Sequence, residues 1–214
     1  MATDRYGLVL VLLLLTYVLA CALPDGAWPR AVLAVAQGIT VLVALGASDT
    51  PKPRRRAAAL AVSVAVAIAV ITAIVGGHAG GVAELISAFL LIGSFAAIVR
   101  RIAHHDHVSS QTLLGAVCCY VLFGLIYAFL YAGLARLGSG PFLSPAGSES
   151  LSNYVFFSFT TLTTTGYGNL IPATGVGRAL SMIEALTGQL FLVTVVARLV
   201  ALWIPTRAGR NRPG

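Results

Sequence analysis

The sequence predicts an all-α membrane protein with six transmembrane helices, and three features support that prediction. The chain has 214 residues, of which 58% are hydrophobic and only 10% are charged, whereas soluble domains carry about 25% charged residues. Its mean hydropathy is +0.91. Six segments are apolar over roughly 20 residues, the length that crosses a bilayer. Basic residues cluster in the connections between these segments. So much apolar surface needs membrane lipid to cover it.

The first four predicted spans are joined by short connections that are rich in turn-forming glycine, proline and aspartate. In chain order, the six spans cover residues 6–23, 29–47, 57–75, 81–102, 113–137 and 179–204. A seventh apolar piece, LSNYVFFSFTTL at 151–162, is too short to cross a bilayer.

The distribution of basic residues predicts the orientation of the chain in the membrane. Two connections and the C-terminal tail collect most of them, namely Lys52, Arg54, Arg55 and Arg56, then Arg100 and Arg101, and finally Arg207, Arg210 and Arg212. The opposite side collects Arg30, Arg136 and Arg178. Because basic loops stay inside, both termini are expected in the cytoplasm of a multi-pass protein of a prokaryotic plasma membrane. The net charge of +7 therefore predicts membrane orientation, with lipid and not nucleic acid as the partner.

This orientation places residues 151–169 on the outer side, where the stretch must dip into the membrane and return. Asn153 or Ser152 is expected to cap a short helix that ends near Thr163 and is about 16 Å long, or half a bilayer. The partial negative charge of its C-terminal end favours a cation there. The extended residues 164–168 would then present backbone carbonyls to that ion. One strand has too few oxygens to replace a hydration shell, so several chains must share the site.

The stretch TTTGYGN, residues 163–169, resembles the selectivity filter of potassium channels, in which rings of backbone carbonyls coordinate the ion. Phe156 and Phe157 fall where that family keeps an aromatic pair on its pore helix. Gly188, in EALTGQLF, falls where its inner helix often has a hinge glycine. The resemblance extends over roughly residues 111–204. It implies a re-entrant pore helix, a selectivity-filter loop and a fourfold homotetramer, since the chain has one such stretch.

The resemblance also implies roles for individual residues. The carbonyls of Thr164, Thr165, Gly166 and Tyr167 would bind K⁺ as the permeant ion, and the Thr164 hydroxyl would complete the innermost site. Left-handed dihedrals are expected at Gly166 and Gly168, and no cofactor is expected. The Tyr167 ring would brace the filter from behind. The other residues expected to support the filter are Phe156, Phe157, Thr160, Thr163, Asn169 and Glu184.

Several residues admit a second interpretation. TTTGYGN could be a tight glycine turn that binds nothing, and Gly188 could allow close helix packing instead of bending. Glu184 is expected to hydrogen-bond the pore-helix backbone, since an acid within an apolar helix is costly without a partner. Thr165 stands where the family has valine, which leaves a nonselective cation channel as the nearest alternative. A membrane scaffold with a nonconducting pore is an alternative from another class. Asn169 replaces the usual aspartate, so inactivation behaviour cannot be inferred.

The pattern divides the chain into three parts. Residues 1–110 form a four-helix region, 111–204 the pore domain and 205–214 a short basic tail. The fourth span carries Glu84 near one end and basic residues at the other, so it lacks the charge ladder of a voltage sensor and predicts a scaffold. A polar linker contains His104, His105 and His107, for which a metal or pH-sensing site is the alternative. No constellation typical of an enzyme is visible.

Overall fold

A computed structural model describes residues 5–47, 52–103 and 110–203 of the chain. The described part contains seven α-helices and two very short strands. The helices are α1 (Arg5–Ala22), α2 (Ala27–Ala47), α3 (Lys52–Val75), α4 (Gly77–Ala103), α5 (Ser110–Leu137), α6 (Leu151–Leu162) and α7 (Gly175–Trp203). The predicted polar linker with His104, His105 and His107 and the basic tail at 205–214 lie outside the described residues.

Five of the helices, α2, α3, α4, α5 and α7, are long and apolar enough to cross a membrane. The apolar part of α1, Tyr6–Ala22, is shorter than those five spans. A multi-pass membrane protein therefore follows from the structure, and a sixth span made by α1 stays a prediction. The seventh apolar piece forms α6, which has 12 residues and is about 18 Å long at 1.5 Å per residue.

The helices pack in an order that links the four-helix region to the rest of the chain. Helix α2 contacts α1, α3 and α4, while α4 packs along α5. Helix α1 also packs against α5 and α6. As a result, α6 lies between α1, α5 and α7, with α5 as the common neighbour. The buried hydrophobic core follows these contacts from α1 through α5 to α6.

A cluster of charges joins α2, α4 and α5. Glu84 of α4 is 2% exposed, and its Oε1 atom lies 3.6 Å from Nε of Arg30 and 3.5 Å from Nε of Arg136. The carboxylate thus sits between two guanidinium groups from different helices. The sequence placed Glu84 near the end of its helix but did not identify these partners, because nothing local links the three positions.

Two strands of two residues each connect the segments on either side of α6. Strand β1 (Leu143–Ser144) pairs antiparallel with β2 (Ile171–Pro172). The N–H group of Ala173 also donates to the carbonyl of Phe142 at 2.8 Å. The prediction contained helices only, since pairs this short leave no alternating pattern in the sequence. They fix the entry to α6 beside the exit of the loop that follows it.

Candidate functional site

Helix α6 begins at an N-cap different from the two predicted ones. Ser150 has an extended backbone, and its Oγ accepts the N–H of Asn153 at 3.2 Å. Ser152 and Asn153 instead lie inside the first turn. A second acceptor comes from the α1–α2 connection, where Oδ1 of Asp25 accepts the N–H of Leu151 at 3.2 Å. Two of the amides that a helix start leaves unpaired are therefore satisfied by side chains.

The far end of α6 receives the amide groups of the segment that follows it. The N–H of Thr164 donates to the carbonyl of Thr161 at 2.9 Å. Those of Thr165 and Gly166 both donate to the carbonyl of Thr160, at 2.8 and 3.2 Å. The N–H groups of residues 164–166 are thus used by the helix end. Its carbonyls from Thr164 onward are not engaged by backbone donors in the described chain.

The backbone after α6 alternates between ordinary and left-handed conformations. Gly166 and Gly168 have φ values of 52° and 78°, the dihedrals expected of them. Thr164 also has a positive φ, 56°, which was not predicted because threonine has no preference for that region. Left-handed residues therefore occupy every second position from 164 to 168.

The threonine side chains of this segment bond to one another and to α7. The Thr164 hydroxyl donates to the Thr163 carbonyl at 2.7 Å and accepts from Nε2 of Gln189 at 3.1 Å. The Thr165 hydroxyl lies 2.9 Å from that of Thr163, which is the C-cap of α6. Gln189 was missed by the sequence analysis, although a lone amide beside Gly188 in an apolar helix is a signal that could have found it.

The two phenylalanines of α6 have different surroundings. The ring of Phe156 stacks on that of Tyr167, with centroids 5.8 Å apart and planes 14° apart. Phe157 is buried and packs edge-on against Tyr131 of α5 at 5.3 Å. Tyr167 therefore turns its ring toward α6. The residue after the second glycine, Asn169, is exposed.

Glu184 of α7 is fully buried and bonds to side chains of two other helices. Its Oε2 atom accepts from the Tyr131 hydroxyl at 2.6 Å, and Oε1 lies 2.5 Å from Oγ of Ser158 in α6. The predicted partner was the α6 backbone. The structure corrects this to the Ser158 hydroxyl, because the backbone N–H groups inside a helix are already bonded to carbonyls of the same helix. The Thr160 hydroxyl donates to the Phe157 carbonyl at 3.0 Å.

Gly188 is the point where α7 comes closest to the end of α6. A Cβ atom there would lie 2.5 Å from the carbonyl oxygen of Leu162 and 2.8 Å from its Cδ1. Helix α7 continues through this position without interruption. The contact favours the packing role that the sequence left open, and the hinge role stays a prediction.

One face of α7 and the whole TTTGYGN segment are exposed in the single chain. Residues 163–169 are all exposed. The large exposed side chains of α7 are Val176, Met182, Ile183, Leu186, Leu190, Leu192, Val193 and Val196. Gln189 lies among them and is also exposed. A surface of this kind calls for a protein or aqueous neighbour, because the polar segment cannot face lipid.

Comparison with known proteins also points to the part of the chain that contains α6, the TTTGYGN segment and α7. Residues 115–203, from α5 to the end of α7, match a family model described as an ion channel. Protein LctB of Bacillus caldotenax is 32% identical over 126 residues, which cover 55% of this chain and 92% of LctB. No solved structure matches the chain significantly.

Proposed function

The chain belongs to the ion channel family, and from that premise we propose that it forms a homotetrameric, potassium-selective pore. The ion would pass through rings made by the carbonyls of Thr164, Thr165, Gly166 and Tyr167 from four copies. Helix α6 would be the re-entrant pore helix, α5 the outer helix and α7 the inner helix. K⁺ would be the permeant ion, and no cofactor is required.

The observation that carries the proposal is the hydrogen bonding at the end of α6. The amides of Thr164, Thr165 and Gly166 donate to carbonyls of α6. Three left-handed residues then alternate with ordinary ones. The N–H groups of these three residues are bonded to α6, whereas the carbonyl oxygens of the segment have no backbone donor in the described residues. Those oxygens are free to bind a cation, and carbonyl oxygens are the ligands that potassium channels use.

The exposed surface of α7 supports assembly into an oligomer. Helix α3 is also largely exposed, but its exposed side chains are aliphatic, as at Leu60, Val64 and Ile68. Its Ser63 and Thr72 hydroxyls donate to their own helix, so this face suits lipid. The exposed face of α7 instead adjoins Gln189 and the threonine segment. Neighbouring copies and a water-filled pore would cover it.

The surroundings of Thr165 favour potassium selectivity over the nonselective alternative. Its hydroxyl is hydrogen-bonded to Thr163 within the same chain. The hydroxyl that replaces a methyl group of the usual valine therefore already has a hydrogen-bond partner in its own chain. Only the carbonyl at this position needs to serve the ion, as it does in the family that the motif resembles.

The charges of the four-helix region support a channel without the usual voltage sensor. Glu84, an acidic residue of α4, lies between Arg30 and Arg136. Moving this helix across the field would separate these pairs in a buried setting, which is costly. We propose that the region is a scaffold and that both termini lie in the cytoplasm.

The proposal is tested by reconstituting the purified protein in planar bilayers with potassium on one side and sodium on the other. The current should reverse close to the potassium equilibrium potential. The matched negative control is Gly166→Ala, because a side chain at a left-handed position costs about 1–2 kcal/mol per subunit. Gly140→Ala is the neutral control, since a Cβ there meets nothing within 4 Å.

The outcomes separate the candidate functions. Reversal near the potassium potential, lost in Gly166→Ala but kept in Gly140→Ala, supports the proposal. Reversal midway between the two ions would establish the nonselective channel. No current from protein whose native mass is that of a tetramer would favour the nonconducting scaffold.

A further inference from the structure

A chain of buried hydrogen bonds links α5, α6 and α7 through Glu184. The Tyr131 hydroxyl contacts Oε2 of Glu184 at 2.6 Å, and the Ser158 hydroxyl contacts Oε1 at 2.5 Å. Oγ of Ser158 also lies 2.7 Å from the carbonyl oxygen of Gly124. Glu184, Tyr131 and Ser158 are each fully buried. Three short oxygen–oxygen contacts thus connect one carboxyl group, two hydroxyl groups and one carbonyl group.

Counting the hydrogen atoms of this network shows that the two hydroxyl groups cannot supply all three contacts. Tyr131 has one hydroxyl hydrogen, which it donates to Glu184. Ser158 has one as well, and the carbonyl of Gly124 can only accept, so that contact consumes it. The remaining contact, between Ser158 and Oε1 of Glu184, then has no hydrogen unless the carboxyl group carries one.

The charges around Glu184 agree with this count. Among the residues that the structure describes, no basic side chain lies within ion-pair distance of it, and both ion pairs converge on Glu84 instead. A buried carboxylate without a cation is costly, and such groups usually take up a proton. The titratable groups that face Glu184 are Tyr120, Tyr127 and Tyr131, all from α5, and these are neutral near pH 7.

We infer that Glu184 is protonated in the folded protein and that its carboxyl group donates a hydrogen bond to Ser158, tying α7 to α6. Glu184 is thus a positioning residue, since it touches neither the TTTGYGN segment nor the proposed ion path. Its effect on conduction rests on the proposed function, whereas its protonation does not. A protonated carboxyl group accounts for both short contacts of Glu184, because one oxygen accepts from Tyr131 and the other carries the hydrogen donated to Ser158. The hydrogen bond between α7 and α6 therefore depends on a single proton.

Loss of this proton should lower the stability of the folded protein. A proton that is bound in the folded state and released in the unfolded chain stabilises the fold at low pH, and that contribution disappears as the pH rises. Ionisation would leave the network one donor short and bury a charge without a cation. The contact between α6 and α7 should therefore weaken in alkaline solution.

The test compares Glu184→Gln with Glu184→Ala in the full-length protein in detergent or lipid. Glutamine imitates a protonated glutamate, because its oxygen can accept from Tyr131 while its NH₂ group donates to Ser158. The unfolding temperature of Glu184→Gln should stay close to that of the wild type at neutral pH, and that of Glu184→Ala should fall. A Gln variant as unstable as the Ala variant would overturn the inference.

Two measurements that need no ion current complete the test. An infrared band of a protonated carboxyl group should be present in the wild type at neutral pH and absent from Glu184→Gln. Between about pH 7 and 10, the unfolding temperature of the wild type should fall by about 3 °C or more beyond the fall seen for Glu184→Gln. Identical infrared spectra, or equal alkaline shifts, would show that Glu184 is ionised. If these results hold but no current is seen, only the proposed function fails.

Discussion

Gly188 of α7 lies directly against Leu162, the last residue of α6, so that a Cβ atom at position 188 would be 2.5 Å from the Leu162 carbonyl oxygen. The obstacle is a backbone atom, which no side-chain rotation can move away. Helix α7 can therefore reach the end of α6 only because this residue has no side chain.

Gly188→Ala should destabilise the protein, because the added methyl group forces the two helices apart. Overpacking of this kind costs about 1–3 kcal/mol, which exceeds the gain of about 1 kcal/mol in helix propensity. Thermal unfolding measures the loss. Gly175→Ala is the matched control, since a Cβ there meets nothing within 4 Å. Equal stability of the two variants would contradict the packing role of Gly188 and favour the hinge role.

Asp25→Ala should weaken the start of α6, because it removes the carboxylate that accepts the N–H of Leu151. Loss of a capping acceptor costs about 0.5–2 kcal/mol. Asp25→Asn keeps an acceptor oxygen and should retain most of the stability. Thermal unfolding and ion flux of the two variants, measured side by side, check this. An alanine variant as stable as the wild type would mean that the hydrogen bond contributes nothing.

Glu84→Gln should be among the most damaging single changes in the four-helix region, because it leaves Arg30 and Arg136 without their carboxylate. Removing one partner of a buried ion pair costs about 3–5 kcal/mol. Arg136→Gln should cost less, since Glu84 keeps Arg30 and Arg136 is the more exposed of the two arginines. Chemical denaturation of both variants gives the comparison. A reversed order would show that the cluster depends on Arg136 instead.

Asn169→Asp should raise single-channel conductance in dilute potassium. Four added carboxylates at one pore entrance would concentrate cations there, and Asn169 is exposed in the single chain. The gain should nearly vanish in molar salt, because the Debye length falls from about 30 Å at 0.01 M to about 3 Å at 1 M. Bilayer recordings over a salt series measure it. An effect independent of salt would place Asn169 away from the entrance.

Sequence patterns with a strong local cause predicted the structure well. Apolar length predicted six spans, of which five are helices long and apolar enough to cross a membrane, and a 12-residue apolar piece was correctly expected to be a short helix. Positive φ at Gly166 and Gly168 was expected from the resemblance of TTTGYGN to a selectivity filter, and glycine adopts such values readily. These features depend on the residues themselves and on their immediate neighbours, which the sequence displays directly.

Features that depend on distant residues were not predicted. The bonds from Gln189 to Thr164, from Asp25 to Leu151 and from Glu84 to its two arginines join separate elements. The N-cap was misplaced because three of the four residues from 150 to 153 are serine or asparagine, any of which can cap a helix. Such choices are decided by tertiary packing, which a single sequence does not reveal.

Contacts from α1 and from the α1–α2 connection make α6 dependent on residues far from it in the chain. Asp25 holds the amide of Leu151, and the ring of Tyr17 packs edge-on against Phe159 at 5.1 Å. A fragment of residues 110–203 would keep α5, α6 and α7 but lose both contacts. The four-helix region therefore supports α6 directly, and a truncated protein would need other contacts in their place.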